Sequence, residues 1–122
     1  MQLAGPEKHL TTTEGELRAK AVIFATGADP RPLGLPGEDS LRGRGVAYCA
    51  TCDGGFYRGK TVAVAGGGNS AAEDALTLSK LCKKVYLIHR RDTLSATRSY
   101  LKPLEKAENI EFLWNRQVTG FD

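Results

Sequence analysis

Thr61-Val62-Ala63-Val64-Ala65-Gly66-Gly67-Gly68-Asn69-Ser70-Ala71-Ala72 is the stretch on which the fold turns. Its first five residues form a short apolar, β-branched run of the kind a strand buried on both faces requires. Gly66, Gly68 and Ala71 then fit GxGxxA: a glycine for the tight turn, a second for close approach of backbone to phosphate, and a small residue for helix packing. From Asn69 to Leu81, apolar residues recur at Ala71, Ala72, Ala75, Leu76, Leu78 and Leu81, which predicts a helix. The free amides and positive dipole end of such a helix would face the pyrophosphate of a dinucleotide.

Glycine turns also occur as plain connectors, so the flanks matter. A second strand, Lys84 to His89, follows the helix and completes a βαβ unit of roughly 30 residues. A site that selects NAD commonly has Asp or Glu at the end of this strand, roughly 20 residues beyond the glycines. Here His89, Arg90 and Arg91 stand in that place. Guanidinium groups bind phosphate through paired donors, so the preference is for the 2′-phosphate of NADPH; the competing reading is a solvated strand corner.

The remaining chain is ordered around this unit. His9 to Lys20 reads as a hairpin turning at Glu14-Gly15, followed by a strand at Ala21-Val22-Ile23-Phe24 that stops at Thr26-Gly27. Asp29 to Gly37, DPRPLGLPG, is a connector or hinge, which divides the chain into a β segment over 1–29 and a nucleotide domain over 30–122. A second helix over about Ala96 to Ala107, kinked or started late by Pro103, and a third strand, Ile110 to Trp114, give an α/β, Rossmann-like βαβαβ half. Gln117 to Asp122 reads as the start of a further strand, so the chain looks cut there.

With 122 residues and a net charge of +3, the composition indicates neither nucleic acid nor a membrane surface as partner. No run reaches transmembrane length and MQLAGPEKHL has no apolar core for a signal peptide, which makes the cytoplasm the default compartment. Three cysteines without a secretion signal speak for a redox or metal role rather than a disulfide framework. Cys49 and Cys52 form a CxxC. Zinc needs four ligands, and only Cys82, His9 and His89 remain, scattered. A thioredoxin-like fold is disfavoured because the pair precedes a glycine-turn unit; inert structural cysteines and a dithiol that cycles with a disulfide stay open. In the redox case Asp53 adjoins the pair and is placed to exchange a proton with the leaving thiol. Cys82, between Leu81 and two lysines, reads as a packed small side chain.

CATCDG at Cys49 to Gly54, VAVAGGGNSAAEDA at Val62 to Ala75 and LIHRRD at Leu87 to Asp92 together closely resemble the bacterial-type, low-molecular-weight thioredoxin reductases. ATGADPR at Ala25 to Arg31 and LPGED at Leu35 to Asp39 are similar to their flavin-domain strand end and hinge. The resemblance implies the NADPH domain of a flavoprotein with two dinucleotide-binding domains. It implies that Cys49 attacks the disulfide of thioredoxin or a thioredoxin-like protein, that Cys52 lies against the flavin, and that Asp53 is the acid/base. It assigns Gly66, Gly67, Gly68, Asn69, Ser70, His89, Arg90 and Arg91 to NADPH, and Thr26 and Gly27 to FAD. One departure is that Ser95 stands near the place of a further phosphate-binding arginine, with Arg98 beyond it. Another is that the chain carries no FAD-binding GxGxxG and no C-terminal flavin segment, so the expectation is NADPH binding without turnover by these residues alone. The flavoprotein component of alkyl hydroperoxide reductase, a non-catalytic NADP-binding module, a zinc-binding interaction module and a homodimeric state remain open at this point.

Overall fold

The computed structural model describes Gln2, residues 4–27 and residues 29–122; Met1, Leu3 and Ala28, the last within ATGADPR, lie outside the described residues. Contacts divide the chain into Met1–Pro30 and Arg31–Asp122, and each unit is taken by itself.

In the first unit β1 (Lys8–Thr12) pairs antiparallel with β2 (Gly15–Ala19), from Lys8 opposite Ala19 to Thr12 opposite Gly15. Gly15, at φ 129°, opens the second strand, and Thr12 Oγ1 accepts from Glu14 N at 3.2 Å and donates to Gly15 O at 2.9 Å. The expected strand at Ala21–Phe24 is absent: these residues have no regular structure, and Ile23 and Phe24 are 91% and 61% exposed. Apolar, β-branched composition makes a strand only where a neighbour offers its backbone groups. Among the described residues of this unit, none pairs with this run.

The second unit is built on a parallel sheet in the order β3-β4-β5, with β3 Thr61–Ala65, β4 Lys84–His89 and β5 Ile110–Trp114. The register runs Val62 to Val85 to Ile110 and Val64 to Leu87 to Phe112, so these six side chains share one face. α3 (Asn69–Ser79) connects β3 to β4, and α4 (Arg98–Lys106) connects β4 to β5. Ala72, Ala75 and Leu78 of α3 and Leu104 of α4 bury with Val64, Val85, Leu87 and Ile110 in one core. Before β3 come α1 (Glu38–Leu41), α2 (Ala50–Asp53) and a 3-10 turn, Gly54–Tyr57.

Several expectations shift. β3 is not buried on both faces: Val62 and Val64 point inward, while Thr61, Ala63 and Ala65 are exposed. Both crossover helices join the same core, and among the described residues of this unit no helix lies on the opposite face. α3 stops at Ser79 rather than Leu81, because Lys80 N and Leu81 N bond three residues back, to Thr77 O and Leu78 O, and tighten the last turn out of the α-helical pattern. α4 begins at Arg98 and runs through Pro103, so the proline neither starts nor delays it; Ala96 is buried ahead of the helix. Gln117 to Asp122 forms no strand. Cys82 is packed, with its thiol donating to Tyr57 O at 3.3 Å, and burial pushes its pKa up.

Candidate functional site

The glycine turn is built where β3 runs out. Gly66 N still donates to Ile88 O at 3.0 Å, but Gly66 adopts φ 150°, and a Cβ on it would lie 2.7 Å from that of Ala71. Gly67 is buried under His89, whose ring atoms Cε1, Nδ1 and Nε2 would all collide with a Cβ there, the last at 2.6 Å. Gly68 caps α3 in extended conformation with no side-chain bond to the helix, and a Cβ on it would meet nothing within 4 Å. The first bond within α3 is Ala72 N to Gly68 O, 3.1 Å, which leaves the amides of Asn69, Ser70 and Ala71 without a helical acceptor. Asn69 and Ser70 are exposed, and the first turn carries no acidic side chain.

Three hydrogen bonds of this turn were missed in reading the sequence. Gly67 O accepts from both Ser95 N at 2.8 Å and Ser95 Oγ at 3.1 Å, and Asn69 Oδ1 accepts from Thr97 N at 2.8 Å. The loop before α4 is therefore latched to the glycine turn. The signal was the Ser-Ala-Thr run directly ahead of a helix start, where hydroxyl residues seek backbone partners.

At the end of β4, His89 is half-buried, edge-on to Trp114 with ring centroids 6.4 Å apart, and its Nε2 is buried without a hydrogen-bond partner. Arg90 and Arg91 follow it and are exposed, and among the described residues neither enters an ion pair. Unused amides at a helix start, bare backbone at Gly68 and two uncommitted guanidinium groups fit the phosphates of a dinucleotide. Thr26 and Gly27 belong to the first unit, are exposed, and lie in chain without regular structure, with Gly27 at φ 79°.

The CxxC segment packs on α3. Cys49 and Cys52 form a disulfide with Cα atoms 5.3 Å apart; Cys49 is half-buried and Cys52 exposed. Cys49 is the N-cap of α2, and its Sγ accepts from Cys52 N at 3.1 Å. Ala50 is buried and its amide donates to Asp74 Oδ1 of α3 at 3.1 Å. Burial pushes the Asp74 carboxyl up, the Ala50 amide offsets part of this, and Glu73 adds to it. A Cβ on Gly54 would lie 3.2 Å from both Leu78 and Leu81, so the 3-10 turn that follows α2 sits tightly against the end of α3. Asp53 is half-buried at the end of α2, and Phe56 beyond it is 77% exposed.

Residue 48 is anchored too. The Tyr48 hydroxyl donates to Glu38 Oε1 at 2.6 Å, and Glu38, 3% exposed, also accepts from the amides of Leu33, Gly34 and Leu35 at 2.9, 2.7 and 3.3 Å. The Tyr48 bond, then these amides, hold the Glu38 carboxyl below its ordinary value; the same bond pushes the Tyr48 hydroxyl up. Glu38 went unremarked in the sequence, because its partners, the amides of the preceding loop, are set by how that loop folds back on it. Among the described residues no three His, Cys, Asp or Glu side chains converge on a common point, and no helix is long and apolar enough to cross a membrane.

Residues 3–122 match the family described as pyridine nucleotide-disulphide oxidoreductase. The chain is 47% identical over 119 residues to a thioredoxin reductase of Streptomyces coelicolor, covering 97% of this chain and 37% of that protein. It is 50% identical over 107 residues to one of Treponema pallidum, covering 88% and 35%. The crystal structure of thioredoxin reductase from Streptococcus pyogenes superposes with a TM-score of 0.75 at 40% identity, over 99% of this chain and 40% of that one. The chain thus spans under two-fifths of the length of these curated relatives. With a glycine turn, a parallel βαβαβ sheet and a CxxC disulfide all inside the matched residues, the chain belongs to the pyridine nucleotide-disulphide oxidoreductase family.

Proposed function

We propose that the chain supplies the nucleotide-binding and disulfide-carrying part of a thioredoxin-disulfide reductase, with residues 30–122 as the nucleotide domain and 1–29 as part of a flavin domain. The observation that carries this reading is the seating of the Cys49–Cys52 helix on α3, the helix that begins at the glycine turn. Gly66, Gly67, Gly68, Asn69 and Ser70 present backbone to the pyrophosphate of NADPH; His89, Arg90 and Arg91 take its 2′-phosphate; Thr26 and Gly27 touch FAD. When bound, NADPH and FAD supply the electron pair that, with two protons, opens the Cys49–Cys52 bond to two thiols.

From there the chain's own residues act. The Cys49 thiolate attacks one sulfur of thioredoxin's disulfide and expels the other as a thiolate. The Cys52 thiolate then attacks Cys49 Sγ, expels the second thioredoxin thiolate and restores the pair, so one disulfide breaks, one forms, and two electrons pass to the substrate. The Cys52 amide at 3.1 Å favours negative charge on Cys49 Sγ. Asp53 holds the proton exchanged with the leaving thiol. A pair that must be re-reduced after each cycle suits a reducing compartment, the cytoplasm. No observation favours a hydroperoxide-linked flavoprotein or a regulatory NADP module over this reading.

Trapping tests the assignment. Reduced C52S mixed with thioredoxin disulfide should accumulate a mixed disulfide through Cys49, while C49S should not. An adduct that forms on C49S and not on C52S overturns it.

A further inference from the structure

Cys49 is flanked by two tethered residues: Tyr48 is fixed to Glu38, and Ala50 to Asp74. The second tether has an electrostatic consequence. A helix start leaves its first amides unpaired, and a carboxylate there is ordinarily favourable. In α2 that carboxylate sits one residue from a cysteine whose thiolate would carry the same charge. The Cys52 amide stabilises a Cys49 thiolate, and Asp74 opposes it.

We propose that Asp74 is a positioning residue that fixes the redox helix on α3 and whose negative charge, by penalising the thiolate, keeps the Cys49/Cys52 couple reducing. A dithiol whose thiolate is disfavoured gives up its electrons more readily, because the reduced form is the one destabilised. The other titratable groups at this junction are Glu73 beside Asp74 on α3, Asp53 on α2, and Tyr48 with its partner Glu38 on the other flank of Cys49. The inference rests on the redox reading of the pair.

The test is equilibration of the whole chain with glutathione: the Cys49–Cys52 bond breaks, two glutathione thiols become one glutathione disulfide, and their two protons end on the cysteines. The reduced fraction is read by alkylation and mass of the peptide holding both cysteines. D74N keeps an acceptor for Ala50 and removes the charge. It should raise the equilibrium constant for reduction, relative to wild type, about fivefold near pH 9 and less than about twofold near pH 6, because the Asp74 charge acts on the ionised thiol and not on the neutral one. D74A should show the same pattern, with faster hydrogen exchange at the Ala50 amide. If D74N does not fold, D74S serves for the same measurement. A neutral variant that folds and matches wild type at both pH values overturns the electrostatic role, and unchanged Ala50 exchange in D74A overturns the tether. A wild-type pair that never equilibrates with glutathione instead overturns the redox reading, and this inference with it.

Discussion

The His89 ring lies against the Gly67 backbone so closely that no side chain fits at position 67, although Gly67 sits at the centre of the glycine turn. A strand-end histidine therefore holds the turn from below, while Gly68 beside it faces open space.

That contrast separates folding from binding. G67A should destabilise the domain by about 1–3 kcal/mol, the usual cost of overpacking a filled site, seen as a lower Tm. The loss should shrink when His89 is also replaced by Ala. G68A, at φ −89° with free space around its Cβ, should melt like wild type yet bind NADPH more weakly, because the methyl group stands where phosphate must approach. Calorimetry beside thermal melts checks both; normal NADPH affinity in G68A would remove the turn from the nucleotide site.

Replacing Arg90 and Arg91 together with Ala should weaken NADPH far more than NADH. Each charge-assisted contact to the 2′-phosphate is worth roughly 1.5–3 kcal/mol, and NADH lacks that group. Titration of both nucleotides at low ionic strength decides it: equal losses refute the phosphate role.

The Glu38–Tyr48 bond predicts a pH window. The Glu38 carboxyl is held below its ordinary value of 4.5, so its contribution to stability is complete above that value and is lost as pH falls through the depressed one. The Tyr48 hydroxyl is held above its ordinary 10.0, so its contribution is complete below that and is lost as pH rises through the raised value. E38Q should lower Tm at neutral pH and flatten the acid limb of the Tm–pH curve, while Y48F should remove its part of the alkaline limb. An E38Q curve parallel to wild type from pH 3 to 7 would show that this bond does not govern acid stability.

Ser95 and Thr97 latch the loop before α4 to the glycine turn. S95A should lower NADPH affinity by loosening Gly67 without changing the preference for NADPH over NADH, since the hydroxyl faces a carbonyl. A changed preference would place Ser95 at the phosphate instead.

The period of β3, α3, β4, α4 and β5 in the second unit was determined by the sequence alone, whereas α1, α2 and the 3-10 turn before β3 were not read from it. The β-branched run, the glycine turn and the apolar stripe of α3 are local signals, set by dihedral preference and side-chain spacing, and β3, β4 and β5 stand at the residues those signals mark. Cys49 and Cys52 were legible for the same reason, because two intervening residues suffice to let their sulfurs meet. Tertiary structure decided what depended on a distant neighbour. Ala21–Phe24 has strand composition but no partner among the described residues of its unit, and the outer face of β3 looks like a core run but receives no helix among those of its own. The acceptors Glu38 and Asp74 bond amides from other segments, and His89 meets Gly67 only because β4 returns parallel to β3. Short-range pattern encodes which backbone shape a residue favours, whereas burial, tethering and charge at Cys49 depend on which segments the chain brings together.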